Sequence, residues 1–175
     1  EEYLSIVKRS LLGMTHGTVE ASVKPGVFPF DPSQGIISTP RSQVGPYNVK
    51  EREIGFDWPL IGLTMIGLAR MDQIESGLRL VVVNGVPGDF IECGVWRGGA
   101  SVFARAVLNV LNQNNRIVWV SDSFAGLPPS QLSEDSNVWI KMEYLPVSLE
   151  IVKANFENYN LLSDNVRFVK GFFSS

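Results

Sequence analysis

The sequence predicts an α/β fold built on a doubly wound parallel sheet, preceded by a helix and a long loop. Three apolar strands are predicted at residues 89–93, 117–121 and 166–169, with helical periodicity at 100–111 and again after Ser148. Strands that alternate with helices form parallel sheets joined by right-handed crossovers. A glycine-rich turn after the first strand and a proline-rich stretch near the start are the other two observations that define this prediction.

The N-terminal part divides into a short helix and a segment without periodicity. Residues 2–14 carry leucine and valine near helical spacing, which predicts an amphipathic helix. Residues 15–56 hold half of the chain's 10 prolines and show no period, so we expect a lid that closes over a substrate. The predicted domains are therefore 1–56, the helix and lid, and 57–175, the part that carries the sheet.

A second helix is predicted to start at Asp57. Its carboxylate can cap free amides, and Pro59 is tolerated in a first helical turn because its missing N–H costs nothing there. Apolar residues continue at helical spacing to Leu78. Val81–Val83 are expected to end this helix as buried residues, because the stop signal Gly85 follows.

Composition and charge exclude several classes of protein. With 45% hydrophobic residues the 175-residue chain is globular, and a net charge of −3 gives no electrostatic reason to expect nucleic acid as a partner. No apolar run reaches the roughly 18 residues of a membrane span. One cysteine excludes an internal disulfide, which fits a reducing compartment and predicts a cytoplasmic location. Because the chain begins with Glu1 rather than Met, we expect it to be a piece of a longer protein.

The strongest local signal is Glu92-x-Gly94-x-x-x-Gly98-Gly99, between a predicted strand and a predicted helix. Glycines let the backbone approach a ligand, and the following helix N-terminus presents free N–H groups to a polar or negative ligand group. Asp122 ends the next strand, where a doubly wound fold hydrogen-bonds ribose hydroxyls. The two strand ends together predict a nucleoside-containing cofactor at the carboxyl edge of the sheet.

The glycine spacing discriminates between cofactor classes. No Gly-Lys-Ser/Thr follows the turn, which excludes a P-loop. Three residues rather than one separate Gly94 from Gly98, and the Glu92 carboxylate would repel a pyrophosphate, so a nicotinamide cofactor is disfavoured. A carboxylate at this place fits a cationic ligand such as S-adenosylmethionine. An NAD-dependent oxidoreductase and a non-catalytic nucleoside-binding or interaction module stay open as alternatives.

Several blocks of the chain have a distinctive sequence: Asp57–Pro59, Thr64–Leu68, Gly85–Ala100, Trp119–Pro128 and a tail that ends in Gly171-Phe172-Phe173. Over residues 57–175 they resemble the macrocin O-methyltransferase (TylF) family. The resemblance implies a Rossmann-like domain of the class I methyltransferase type whose C-terminal half is absent from this chain. It also implies an enzyme that uses S-adenosylmethionine and Mg to methylate a sugar hydroxyl of a small-molecule natural product.

The resemblance further implies roles for individual residues. The methionine part of the cofactor would lie by Glu92 and Gly94, its ribose by Asp122, its adenine between Ser123-Phe124 and the tail, and its methyl-bearing end by Thr64 and Met65. No catalytic residue or metal ligand is expected in this chain, since the family's lie beyond residue 175. The full set of cofactor-binding residues implied is Thr64, Met65, Glu92, Gly94, Val95, Trp96, Arg97, Gly98, Gly99, Ser101, Asp122, Ser123, Phe124, Gly171, Phe172, Phe173 and Ser174.

The small size of the predicted sheet has a consequence for assembly. Three strands would leave an exposed strand edge and an uncovered apolar face. The resemblance points the same way, because members of the family tend to form dimers. We therefore expect a homodimer or another form of self-association.

Overall fold

A computed structural model of the chain describes residues 1–17, 20–23, 44–129 and 144–173. Its helices and strands confirm the predicted alternation in the second half of the chain. In chain order these elements are α1 (Glu2–Leu11), β1 (Ser22–Val23), β2 (Val44–Gly45), α2 (Val49–Ile54), β3 (Trp58–Pro59), α3 (Leu68–Val83), β4 (Phe90–Cys93), α4 (Gly99–Val110), β5 (Val118–Asp122), α5 (Leu149–Asn158) and β6 (Val166–Lys170).

The main sheet is parallel, with the strand order β4-β5-β6. Its helices α4 and α5 lie on one face, where the valines of β5 that point toward them, Val118 and Val120, are fully buried. Phe156 of α5 meets Phe168 of β6 edge to face, with 5.8 Å between ring centroids. The predicted helix cap is also confirmed, because the Ser148 side chain accepts a hydrogen bond from the N–H of Ile151.

The opposite face of this sheet is bare in the described part of the chain. Ile91 of β4 is 60% exposed and Val169 of β6 is 45% exposed. Within the described ranges β4 pairs only with β5, so its outer edge has no partner strand. An apolar face with a free edge is a surface on which another chain segment can pair or pack.

The first helix belongs to the same core as the sheet. Leu4, Val7 and Leu11 point inward from α1 and are buried in one hydrophobic cluster with Phe103 of α4. Nearly all of the surface of these side chains is removed from water, which stabilises the fold by about 1.5–3 kcal/mol for each large side chain. The predicted helix over residues 2–14 is thus confirmed, although it ends at Leu11 and continues as a turn.

The predicted helix start at Asp57 is wrong. Residues 58–59 form β3, which pairs antiparallel with β1, and the helix begins at Leu68. Asp57 is buried, and its carboxylate accepts hydrogen bonds from the Arg52 guanidinium at 2.7 and 2.9 Å and from the Ser22 hydroxyl at 2.5 Å. The hydrogen bond from Ser22, 35 residues away in the chain, and the buried ion pair with the nearby Arg52 have replaced the local cap.

Two further expectations need correction. The segment 15–56 was expected to lack regular structure, yet it contains β1, β2 and the short helix α2, which is capped by the Asn48 side chain. Residues 18–19 and 24–43 lie outside the described residues, so the lid stays a prediction. The end of α3 is helical as predicted but not buried, because Val83 is 82% exposed. None of the helices in the described ranges is long and apolar enough to cross a membrane.

Candidate functional site

Asp122, the last residue of β5, holds the turn that follows β4. One carboxylate oxygen accepts hydrogen bonds from the backbone N–H groups of Val95 at 2.7 Å and Trp96 at 3.4 Å. The other accepts from the N–H of Phe124 at 2.8 Å and from the Ser123 hydroxyl at 3.3 Å. The carboxylate therefore ties together the turns that follow two neighbouring strands.

A cavity of about 400 Å³ opens beside this carboxylate, at the carboxyl ends of the three parallel strands. Ligands of open α/β sheets bind at this edge, and the volume is within the range of about 300–1,000 Å³ that is typical of small-molecule sites. The walls are mostly apolar, and Asp122 is the titratable side chain in the described lining. The lining residues are Gly94, Asp122, Ser123, Gly126, Leu127, Pro128, Gly171, Phe172 and Phe173.

Gly94 is the glycine of the turn that faces this cavity. Its φ of 86° lies in the left-handed region, and a Cβ placed on it would meet no heavy atom within 4 Å. A residue with a side chain would be strained there and would project into the open space. The backbone at Gly94 is thus the part of the turn that a ligand can approach closely.

The other two glycines of the motif serve packing instead. A Cβ on Gly98 would lie 2.8 Å from a methyl carbon of Val152 on α5, and a Cβ on Gly99 would lie 2.5 Å from the carbonyl oxygen of Leu63. Both distances are shorter than any real Cβ contact. The space in which a side chain would stand is therefore taken by α5 at Gly98 and by the segment before α3 at Gly99, and contact of these two residues with a cofactor stays a prediction.

The N-terminus of α4 is already occupied by groups of the chain itself. The N–H of Gly99 donates to the carbonyl of Leu63 at 3.0 Å. The Ser101 hydroxyl donates to the Glu92 carboxylate, and the Ser101 backbone N–H binds the same carboxylate. A carboxylate at a helix N-terminus is favoured by the helix dipole. Two of the N–H groups expected to be free for a ligand, those of Gly99 and Ser101, thus have partners within the protein.

Glu92 and Asp122 lie on the same face of the sheet. Glu92 pairs in register with Val120, and residues two apart along a strand share a face, so Glu92, Val120 and Asp122 all point toward α4. Burial raises the pKa of Glu92 to about 7, the Asp122 charge adds to this, and the Ser101 hydrogen bonds oppose it. Asp122 borders the cavity, whereas Glu92 lies behind the turn, against α4.

Several predicted cofactor-binding side chains point into the protein. Val95 is 4% exposed, Thr64 is 4% exposed and Phe124 is 6% exposed, so none of the three offers its side chain to the cavity. Met65 is partly buried and lies in the irregular segment before α3. That helix starts only at Leu68. Ser174 lies outside the described residues.

Trp96 and Arg97 form a stack beside the turn. Trp96 has a left-handed φ of 50°, and its indole N–H donates to the carbonyl of Tyr144 at 2.9 Å. The Arg97 guanidinium lies 4.2 Å from the Trp96 ring centroid and donates to backbone carbonyls of residues 59–62. Both side chains therefore contact neighbouring segments of the chain. Direct contact of either one with a cofactor stays a prediction.

The sequence did not point to Glu20 or Tyr144. Glu20 is 3% exposed, and its carboxylate accepts hydrogen bonds from backbone N–H groups of residues 60–62. Tyr144 stacks on Trp58 with 5.2 Å between ring centroids and donates its hydroxyl proton to the carbonyl of Pro59. Their partners lie 40 or more residues away in the chain, so no local pattern marks them.

The family model for macrocin-O-methyltransferase (TylF) matches residues 1–175. The chain belongs to this family. That match confirms the resemblance drawn from residues 57–175 and extends it to the N-terminal part of the chain.

Three curated relatives are O-methyltransferases by their names. The 8-demethyl-8-(2,3-dimethoxy-alpha-L-rhamnosyl)-tetracenomycin-C 4'-O-methyltransferase of Streptomyces olivaceus is 44% identical over 74% of this chain and 51% of its own length. Mycinamicin III 3''-O-methyltransferase of Micromonospora griseorubida is 41% identical over 70% and 51%. Demethyldecarbamoylnovobiocin O-methyltransferase of Streptomyces niveus is 41% identical over 73% and 50%. The chain spans about half the length of these relatives.

A solved O-methyltransferase structure has the same fold. The O-methyltransferase NovP superposes with a TM-score of 0.76 at 33% identity, over 99% of this chain and 64% of that chain. This likeness confirms the predicted α/β methyltransferase fold. Among the described residues no group of three or more His, Cys, Asp or Glu side chains is placed to hold a metal ion.

Proposed function

We propose that this chain is the cofactor-binding part of an S-adenosylmethionine-dependent O-methyltransferase that acts on a sugar hydroxyl of a natural product. The observation that carries the proposal is the cavity at the carboxyl edge of the sheet, bordered by Asp122 and by the open backbone of Gly94. Relatives with 41–44% identity are O-methyltransferases named for tetracenomycin, mycinamicin and novobiocin compounds, which supports the same reaction class here.

The residues at this edge fit a sulfonium nucleoside. The two longer hydrogen bonds of Asp122, to Trp96 at 3.4 Å and to Ser123 at 3.3 Å, are the ones that ribose hydroxyls would replace. The two shorter bonds would keep the turn in place while the carboxylate accepts from the ligand. Leu127, Phe172 and the other apolar lining residues offer a surface for an adenine ring.

Glu92 would act on the cofactor through its charge. It lies on the same face as Asp122 and just before Gly94, so its carboxylate gives the turn a negative potential that favours a sulfonium and an ammonium group. When bound, the cofactor supplies an electrophilic methyl group, which passes from sulfur to the acceptor oxygen as the hydroxyl proton is lost. The residue that takes this proton is expected beyond residue 175.

Magnesium enters this proposal only through the resemblance. The described residues do not gather the several oxygen ligands that Mg²⁺ requires, so they do not fit the ion. The ligands are expected outside this chain. The cytoplasm is the proposed location, on the argument that a chain with a single cysteine fits a reducing compartment.

Titration calorimetry of the 175-residue chain with S-adenosylhomocysteine, S-adenosylmethionine and NADH tests the cofactor assignment. We expect saturable 1:1 binding of the two sulfur nucleosides and no heat with NADH, because the turn lacks the spacing for a pyrophosphate. A folded chain that binds neither sulfur nucleoside would overturn the proposal. Binding of NADH alone would favour the oxidoreductase alternative.

We also propose that the isolated chain self-associates through the bare face of the sheet. Sedimentation velocity is expected to show a concentration-dependent shift from monomer to dimer, since Ile91 and Val169 expose apolar surface beside a free strand edge. The substitution Ile91→Lys should weaken this association. The matched control Ile151→Lys changes a residue that is 52% exposed on α5, on the other side of the molecule, and should not. A wild-type chain that stays monomeric at all concentrations would contradict the proposal.

A further inference from the structure

One carboxylate binds three consecutive amides of the segment Pro59–Leu63, whose other amide contacts are with backbone carbonyls. The backbone N–H groups of Leu60, Ile61 and Gly62 donate to Glu20 at 2.8, 3.3 and 2.9 Å, and both carboxylate oxygens take part. The N–H of Ala21 adds a fourth hydrogen bond at 3.0 Å. Because the Glu20 side chain is buried, water does not compete for these amides.

One guanidinium donates to three carbonyls of the same segment, of which that of Pro59 also accepts from the Tyr144 hydroxyl. One terminal nitrogen of Arg97 donates to the carbonyls of Pro59, Leu60 and Gly62 at 3.4, 3.0 and 2.9 Å. Its plane lies against the Trp96 ring, which fixes the guanidinium within the turn that follows β4. An anion on the amide side and a cation on the carbonyl side match the polarity of the peptide groups between them.

The segment Pro59–Leu63 is joined to the turn after β4 at two points. Arg97 is itself a residue of the 94–99 turn, and the carbonyl of Leu63 accepts from the N–H of Gly99 at 3.0 Å. The two backbone segments approach each other closely at the second point, since a Cβ on Gly99 would lie 2.5 Å from that carbonyl oxygen. A shift of residues 60–63 is therefore transmitted to the turn that borders the cavity.

Glu20 is anchored by more than the amides. Arg52 lies 3.5 Å from its carboxylate and forms a closer ion pair with Asp57 at 2.7 Å, and all three side chains are buried. Two carboxylates thus share one guanidinium, and the remaining negative charge is met by the backbone amides and by the more distant Arg97. Glutamine at position 20 could not reproduce this, because its amide NH₂ would face a backbone N–H that needs an acceptor.

We propose that Glu20 and Arg97 are positioning residues for cofactor binding: from opposite sides they fix the segment Pro59–Leu63, and this segment holds the turn after β4 in the shape that leaves Gly94 open to the cavity. Neither side chain lines the cavity. The inference rests on the proposed function, which supplies the ligand, and it assigns Arg97 an indirect role in place of the direct contact that the resemblance implies.

The affinity for S-adenosylhomocysteine, measured together with the melting temperature, tests this inference on the 175-residue chain. We expect Glu20→Gln to weaken binding about tenfold, at a temperature well below its own melting point. The control Glu75→Gln removes a partly buried carboxylate that joins α3 to Lys8 of α1 and hydrogen-bonds Arg79, all remote from the segment. This control should lower the melting temperature and leave the affinity for S-adenosylhomocysteine within twofold of the wild-type value.

The outcomes separate the inference from the proposed function. If the wild-type chain does not bind the nucleoside, the proposed function fails. If the wild-type chain binds and Glu20→Gln binds equally well, the positioning role alone fails. A loss of affinity in Glu75→Gln as large as in Glu20→Gln would show that general destabilisation is responsible, and would also overturn it.

A second measurement needs no variant, which guards against a Glu20→Gln chain that does not fold. Coupling between two sites is reciprocal, so a ligand that depends on the segment must also stabilise it. Saturating S-adenosylhomocysteine is therefore expected to slow hydrogen exchange at the amides of Leu60–Gly62 several-fold, although they do not line the cavity. Unchanged exchange at these amides under saturation would contradict the positioning role.

Discussion

Replacing Asp122 with asparagine is expected to weaken the binding of S-adenosylhomocysteine by at least about 100-fold, which corresponds to roughly 2.7 kcal/mol. The amide would turn an NH₂ group toward either the N–H of Val95 or the N–H of Phe124, both of which donate to the carboxylate at 2.8 Å or less. The turn after β4 would lose its anchor, and the ribose hydroxyls would lose a charged acceptor. Titration calorimetry measures the change.

The control for this prediction lies at the other end of the same strands. Asp89 also bridges β4 and β5, accepting from the N–H of Ile117 at 2.9 Å and from the indole N–H of Trp119 at 3.0 Å. Asp89→Asn should therefore disturb a comparable number of local hydrogen bonds and leave the affinity for S-adenosylhomocysteine within about twofold of the wild-type value. Equal affinities of the wild type and Asp122→Asn for S-adenosylhomocysteine would show that Asp122 does not contribute to nucleoside binding.

Glu92→Gln is expected to make the stability of the protein less dependent on pH. The pKa of Glu92 is about 7 in the folded chain and near 4.5 in a model carboxyl group, so between these values the native state keeps a proton that the unfolded state releases. The stability contributed by the protonated group is present below pH 4.5 and is lost as the pH rises to 7. The full loss is about 3 kcal/mol.

Urea unfolding at pH 5 and pH 8 measures this effect as a difference between the wild-type chain and Glu92→Gln. The variant should be similar in stability at pH 5 and more stable than the wild type at pH 8, because it has no buried charge to carry. Glu157→Gln, an exposed substitution on α5, should change stability by less than about 0.5 kcal/mol at both values. The same stability difference for Glu92→Gln at both pH values would contradict the prediction.

The titration of Glu92 also bears on the cofactor. A cationic ligand favours the charged carboxylate, so the affinity of the wild-type chain for S-adenosylmethionine should rise between pH 6 and pH 8, with a proton released on binding below pH 7. Glu92→Gln should bind more weakly at pH 8 and lose this dependence. Calorimetry in buffers of different ionisation enthalpy detects the released proton.

The sheet-bearing half of the chain could be predicted because its signals are local. Apolar strands of four or five residues, a glycine turn and a Ser148 cap each act within one element, and the alternation of elements then determines a parallel sheet. Gly94 and Asp122 were placed correctly at the strand ends for the same reason, since the carboxyl ends of parallel strands meet at one edge.

The N-terminal half could not be predicted because its contacts are distant in sequence. The local signals at Asp57 and Pro59 favour a helix, but the hydrogen bond from Ser22, 35 residues away, and the pairing of β3 with β1 are stronger. Strands of two residues have no detectable period. Glu20 has the same limitation, since its amide partners follow about 40 residues later and only the folded chain brings them together.

The packing of α1 against α4 restricts how such enzymes could be recombined. Leu4 and Leu11 lie in one hydrophobic cluster with Phe103. Glu20 contacts residues 60–62, which are joined to the turn after β4. A chimaera that took its first 56 residues from another member of the family would therefore have to match both contacts. On the proposed function, exchanging this stretch alone would also alter the binding of the nucleoside cofactor.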